Sequence, residues 1–260
     1  METSHNRWIG VLVGAATTLA ILGLIWLLTA RSHSPFVVSL PTILNTFRQV
    51  WLFRRFTSDA VPSVERLTLG FLAAVLAGVP LGLLIGMADR RVRMFTRPVT
   101  TFLRSVPPPL MVPVAIAIFE IGLVMKVFSV AFVCMWPITL NTEDGYTSLD
   151  PTVLETAQSY GIRGWDRMFK VVLPAVSPRI FAGLRTSIAI AVLMLVIAEQ
   201  LGSSNGIGWF VLYSQEGYDV KGMWAGIVML GLLGIVASGL LSLIERVVLR
   251  WHFRMRAINA

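Results

Sequence analysis

Long apolar runs organise this chain. Residues 8–30, 67–88 and 222–244 contain no Asp, Glu, Lys or Arg, and each reaches the about 20 residues a helix needs to cross a bilayer core. Three further runs are interrupted or shorter: 98–119, which contains Arg104; 127–142; and 180–198, which contains Arg185. The apolar parts of 98–119 and 127–142 are short for a crossing, so snorkelling ends or neighbouring protein are expected to complete them. The pattern predicts an all-α polytopic membrane protein, one transmembrane domain over residues 1–260 with six spans and both termini on the same side. The first apolar run is longer than the roughly 7–15 residues of a signal-peptide core and no small-residue cleavage site follows it, so it is read as a retained helix.

Composition supports the pattern. Hydrophobic residues make up 55% of the 260 and charged residues 14%, against roughly 25% charged in a soluble globular chain. That rules out a soluble surface, and also intrinsic disorder, which needs low hydrophobicity and high charge. The net charge of +8 is read as loop Lys and Arg of a membrane protein; no basic stripe interleaved with aromatics points to nucleic acid. Cys134 is the single cysteine, which excludes an internal disulfide, and it sits in an apolar run as a small core residue. His5, His33 and His252 lack ligand spacing, so no metal site is expected.

Charge also orients the chain. With the N-terminus in the cytoplasm, that side receives fourteen Lys and Arg and the other side seven, which favours cytoplasmic N- and C-termini. The stretch 31–66, with five arginines on the far side, is the exception. Within it, Ser39-Leu40-Pro41 followed by 42–56 predicts a short helix along the far surface.

The loop 143–179 has a structure of its own. Asp150-Pro151 is a strong helix start, a capping carboxylate before a proline at the first helical position. Leu154, Ala157 and Gln158 fall close together at helical spacing, and Gly161 is placed to end the helix in a left-handed turn. After Gly164, Trp165, Met168, Phe169 and Val172 form an apolar stripe, and Leu173-Pro174 is expected to stop that second helix before the next span. Two short helices with a tight bend suit either docking in a partner's groove or rest on lipid headgroups.

These residues resemble a known family. Glu155-Thr156-Ala157, three residues, Gly161, nine residues, then Val171-Val172-Leu173-Pro174 is similar to the EAA motif of ATP-binding-cassette importer permeases, with Thr156 in place of the usual alanine and Val171 in place of isoleucine. Arg66-x3-Gly70-Phe71, Gly78-Val79-Pro80-Leu81-Gly82 with Gly86, Arg104-Ser105-Val106-Pro107-Pro108 with Pro113, Pro137 with Asn141, Gly183-Leu184-Arg185, and Ala198-Glu199-x-Leu201-Gly202 resemble its nitrate, sulfonate and taurine branch across about residues 35–250. Glu120 departs from that branch, which usually has glycine there.

The resemblance implies a permease subunit that forms a pathway for a small solute: a sulfonate, nitrate, taurine or related compound, or a small heterocycle. Its implied partners are separate ATPase subunits that carry ATP and magnesium, a second permease copy, a soluble binding protein outside the membrane, and the lipid bilayer. Glu155, Thr156, Ala157, Gln158, Ser159, Tyr160 and Gly161 would couple to the ATPase, with Glu155 offering a negative group, Ala157 close approach and Gly161 the bend. The chain has no phosphate-loop motif, so it is not expected to be an enzyme or to hold a cofactor. The alternative is a self-contained channel or ion-coupled carrier.

Other candidates keep two readings. Arg104 and Arg185 either contact an anion or snorkel to the cytoplasmic end, the reading preferred here. Glu199 either pairs with Arg66 or is a solvated helix-end carboxylate, and Glu120 has the same ambiguity. Pro107 and Pro108 bend a span whose freed carbonyls need protein or a wet cavity, so with Met111, Trp136 and Glu199 they are the pathway candidates. Gly78, Gly82 and Gly86 share one helical face and are read as a subunit-packing stripe.

Overall fold

The computed structural model describes residues 38–251, together with Val13, Ala16, Thr17 and Gly23; the predicted span 8–30 lies outside them. The described residues form helices and no strand. In chain order these are α1 (Leu40–Phe47), α2 (Val61–Met87), α3 (Arg90–Ser105), α4 (Met111–Phe119), α5 (Leu123–Thr147), α6 (Pro151–Ser159), α7 (Gly164–Arg167), α8 (Leu173–Gly202), α9 (Ile207–Glu216) and α10 (Val220–Val248). Among the described residues, four helical bodies are long and apolar enough to cross a membrane: Phe56–Met87, Leu123–Thr147, Gly164–Gly202 and Val220–Val248. They contain, or nearly contain, the predicted spans 67–88, 127–142, 180–198 and 222–244.

Three boundaries differ from expectation. The span at 127–142 is not short: α5 has 25 residues, about 37 Å at 1.5 Å per residue. Lys126 and Glu143, read from sequence as the ends of the apolar run, lie inside the helix and are buried.

The run 98–119 is not one helix. The α3 and α4 segments meet at an angle of 85° and could cross only as a bent pair. Val106 and Pro107 are extended, with ψ of 123° and 126°, as residues preceding proline favour. Pro107, Pro108 and Pro109 also remove three successive N–H donors from any continuing helix.

Leu173-Pro174 does not stop the second loop helix. From α7 the chain passes through a π-helical turn, Met168–Val172, directly into α8. The wider turn shifts the register, so Pro174 falls in the first turn of α8, where its missing N–H costs little.

The centre of the bundle is α5, packed between α2 and α8. Helices α2 and α5 run parallel and come close through small residues. A Cβ on Gly78 would lie 2.9 Å from Met135 O, one on Gly82 2.5 Å from Thr139 O, and one on Gly86 2.9 Å from the Tyr146 Cβ. Thr139 Oγ1 shares its proton between Met135 O of its own helix at 2.8 Å and Gly78 O across the seam at 3.2 Å. The stripe expected to pack subunits therefore packs two helices of one chain. Small residues let backbones approach where no hydrophobic effect pulls helices together.

At one end of this core a buried polar cluster ties α2, α8 and α9 together. Arg66 Nη1 donates to Glu199 Oε1 at 2.7 Å and to Asn205 O at 3.0 Å, and Ser63 Oγ donates to the same carboxylate at 2.7 Å. The first N–H groups of α9, which have no partner within their own helix, are also met here. Gly206 N–H reaches Asp59 Oδ1 at 2.9 Å, Ile207 N–H reaches Ser63 Oγ at 2.9 Å, and Gly208 N–H reaches Glu199 Oε2 at 2.9 Å. Two carboxylates at a helix N-terminus also suit its dipole. Nearby, Trp51 of the predicted far-surface helix is buried and donates to Ala225 O of α10 at 3.0 Å.

Two stability predictions follow from this packing. Gly82→Leu should wedge α2 from α5 and lower the melting temperature in detergent markedly, since overpacking costs about 1–3 kcal/mol or more. Gly239→Leu, on an open face of α10, should leave it unchanged or slightly raised. Glu199→Ala should cost about 3–5 kcal/mol by stranding a buried arginine. Adding Arg66→Met should recover part of that loss; a double variant as unstable as Glu199→Ala alone would refute the pairing.

Candidate functional site

Helix α6 is built as its sequence indicates. Asp150 is extended and accepts the Thr152 N–H at 2.9 Å, and that bond holds its carboxyl below the usual range. Pro151 occupies the first turn. At the other end Gly161 has φ +74°; Ile162 N–H returns to Ala157 O at 2.9 Å and Gly161 N–H to Gln158 O at 3.0 Å. This is the left-handed helix end for which glycine is the least strained residue. Gly164, with φ +57°, makes a second bend.

Ala157 is buried, and Leu154 is half-buried and packs against the hydrophobic core. Glu155, Thr156, Gln158, Ser159 and Tyr160 are exposed, as is Gly161. The apolar stripe that follows is divided. Val172 is buried and Met168 half-buried, whereas Trp165 and Phe169 are exposed and stack with ring centroids 5.8 Å apart. Lys170 and Asp166 pair at 2.8 Å beside them. An exposed apolar patch rimmed by charge marks a surface that meets something other than water.

A second feature lies where α3 turns into α4. A cavity of about 560 Å³ is lined there by Arg104, Pro108, Phe132, Trp136, Asn141 and Thr186, among others. Of the pathway candidates it brings together Pro108 and Trp136. Pro107 adjoins Pro108 at the bend, Met111 is in the hydrophobic core, and Glu199 is committed to Arg66. Arg104 lines the cavity, while Arg185 Nε donates to Glu245 Oε2 of α10 at 2.6 Å. Glu120 closes α4 with φ 60° and ψ 178°, a conformation that favours glycine, so a glutamate here is strained and nothing in the structure explains its departure from the branch.

Sequence reasoning missed Asn141 and Thr186 as cavity residues, and Asp59, Ser63 and Asn205 as partners in the Arg66 cluster. Each is a small polar residue whose position carries no distinctive spacing, and Asn205 lies in the turn between α8 and α9. The one legible signal was Glu199, a lone carboxylate at the end of an apolar run.

Comparison with known proteins places this geometry. Residues 78–250 match the family described as binding-protein-dependent transport system inner membrane component. The chain is 31% identical over 211 residues to the "Putative aliphatic sulfonates transport permease protein SsuC" of Bacillus subtilis, covering 81% of this chain and 76% of that protein. It is 33% identical over 184 residues to the nitrate import permease protein NrtB of Leptolyngbya laminosa, covering 70% and 65%. An inward-facing structure of the MetNI methionine ABC transporter superposes with a TM-score of 0.65 at 16% identity, over 77% of this chain and 97% of that one, which shows a shared fold. The apolar helices, the α6 turn and these matches lead to one conclusion: the chain belongs to the family of inner-membrane components of binding-protein-dependent transport systems, as a multi-pass permease subunit of an ATP-binding-cassette importer.

Proposed function

We propose that Glu155, Thr156, Gln158, Ser159, Tyr160 and Gly161 form the surface by which this subunit is driven, docking in a groove of a separate ATPase chain that holds ATP and magnesium. The observation that carries this reading is α6 itself: capped by Asp150 and bent at Gly161, it presents its polar face and Tyr160 outward. Glu155 offers a carboxylate to a cationic or N–H partner. Ala157, buried within its own chain, is not available to that partner, and Leu154 packs the helix against the core.

The helical body that follows runs without interruption from Gly164 to Gly202, about 58 Å at 1.5 Å per residue. Its far end carries Glu199, bound to Arg66 and to the start of α9. A movement of α6 is thereby carried along one helical body to the cluster that joins α2, α8 and α9. Coupling of this kind needs a bundle with two discrete packings, and the bend at Pro107–Pro109 supplies one place where a helix can change direction.

In the same reading the N- and C-termini and α6 face the cytoplasm, a second copy of the chain completes the pathway, and a soluble binding protein delivers solute on the opposite side. The solute is a small anion of the kind named for the relatives: sulfonate, nitrate or bicarbonate.

Two measurements test the assignment. Reporters fused after Ala260 and within 144–150 should both read cytoplasmic. Gly161→Val should keep insertion and expression near normal yet abolish ATPase copurification or ATP-driven uptake, because a β-branched residue resists positive φ at a cost of about 1–3 kcal/mol. Glu155→Ala should show a milder loss. Near-normal uptake by well-expressed Gly161→Val would leave α6 as a helix that merely rests on headgroups.

A further inference from the structure

Trp136 is the one described residue with a buried side-chain N–H or oxygen lacking a hydrogen-bond partner: its Nε1 has no acceptor. An orphaned donor of this kind costs about 1–3 kcal/mol in a water-poor interior, and buried polar groups are nearly always paired. The ring is only 6% exposed, is held edge-on by Phe132 at 5.7 Å, and lines the cavity at the α3–α4 bend. Arg104, exposed to the outside of the chain, lines the same cavity and leaves its guanidinium free to reach a solute there.

We infer that this cavity is a transit site for a small organic monoanion, whose acidic head is held by the Arg104 guanidinium and the Trp136 indole N–H and whose hydrocarbon part lies against Phe132, Leu140 and Ile190. The volume, about 560 Å³, falls among those of small-molecule sites, which combine apolar walls with a few placed polar groups. The remaining polar side chains fit the same reading. Asn141 already donates to Pro137 O at 2.8 Å and Thr186 to Ala182 O at 3.2 Å, which leaves few donors to replace the water shell of an inorganic ion. Stripping such an ion of water against these walls goes uncompensated. Asp144, also on the lining, balances the charge of Arg104 and disfavours a multiply charged anion. The inference rests on the importer reading above, which supplies the reason for a solute to be there, and it narrows the solute class.

The test uses the full chain in phosphatidylcholine nanodiscs. Thr186→Cys places a thiol on the cavity wall, and the native Cys134 is fully buried, so N-ethylmaleimide labelling reports on position 186. Butane-1-sulfonate is expected to slow that labelling at least fivefold, while sodium nitrate and butan-1-ol at the same concentration do not. Adding Trp136→Phe, which keeps the ring and removes the N–H, should raise the protecting concentration about tenfold, and Arg104→Gln should do the same or more.

Equal protection by nitrate or by butanol overturns the organic-monoanion assignment. So does absence of protection, or protection that neither variant weakens. Protection by phosphatidylglycerol in the disc, without added solute, would assign the cavity to a lipid headgroup instead. ATPase copurification is read on the same preparations. Intact copurification without protection sinks the transit site and leaves the importer reading standing, whereas protection without copurification does the reverse.

Discussion

In the apolar interior of a membrane each backbone and side-chain polar group must find its partner inside the protein, because no water is there to supply one. That requirement shapes most of this fold. It makes every membrane-capable segment a helix and leaves no strand among the described residues. It also explains the cluster around Glu199. Helix α9 starts next to α2 and α8, and its first N–H groups would be stranded without Asp59, Ser63 and Glu199. Arg66 then balances the charge that satisfying them introduces. The cluster is thus a helix cap assembled from distant parts of the chain, as well as an ion pair.

The same rule shows where the structure yields. At Val106–Pro107 the helix loses its donors and turns by 85°, and a cavity opens beside the bend. There Trp136 keeps an N–H without an acceptor. A fully enclosed donor without an acceptor beside an open cavity points to a group that comes and goes. The seam between α2 and α5 behaves in the opposite way. Its backbones touch through glycine, Thr139 bridges the helices, and no space is left for a solute. The rigid seam and the open bend lie on either side of α5, so one helix serves as both wall and anchor.

Much of this was legible in the sequence because it rests on local rules. Apolar length gave four of the crossings. Asp150-Pro151 and Gly161 gave both ends of α6, since capping and positive φ are decided within a few residues. Glycine spacing on α2 revealed a close contact but not its partner. Lys126 and Glu143 misled the reading of α5, because a charge within an apolar run looks like a boundary unless the neighbouring helices that bury it are known. Leu173-Pro174 misled for a related reason: a π turn shifted the register so that the proline came to begin a helix.

The sequence by itself determined the class of molecule, the helices that are long and apolar enough to cross, and the capped and bent helix between α5 and α8, all of which follow from composition and short-range backbone chemistry. Tertiary structure alone decided which residues meet: that Arg66 reaches Glu199 across 133 positions of chain, that the glycine stripe faces α5, and that Arg104 and Trp136 share one cavity. Those pairings depend on how helices far apart in sequence settle against one another. No local preference encodes them, because each residue's helical position is compatible with several neighbours until packing selects one.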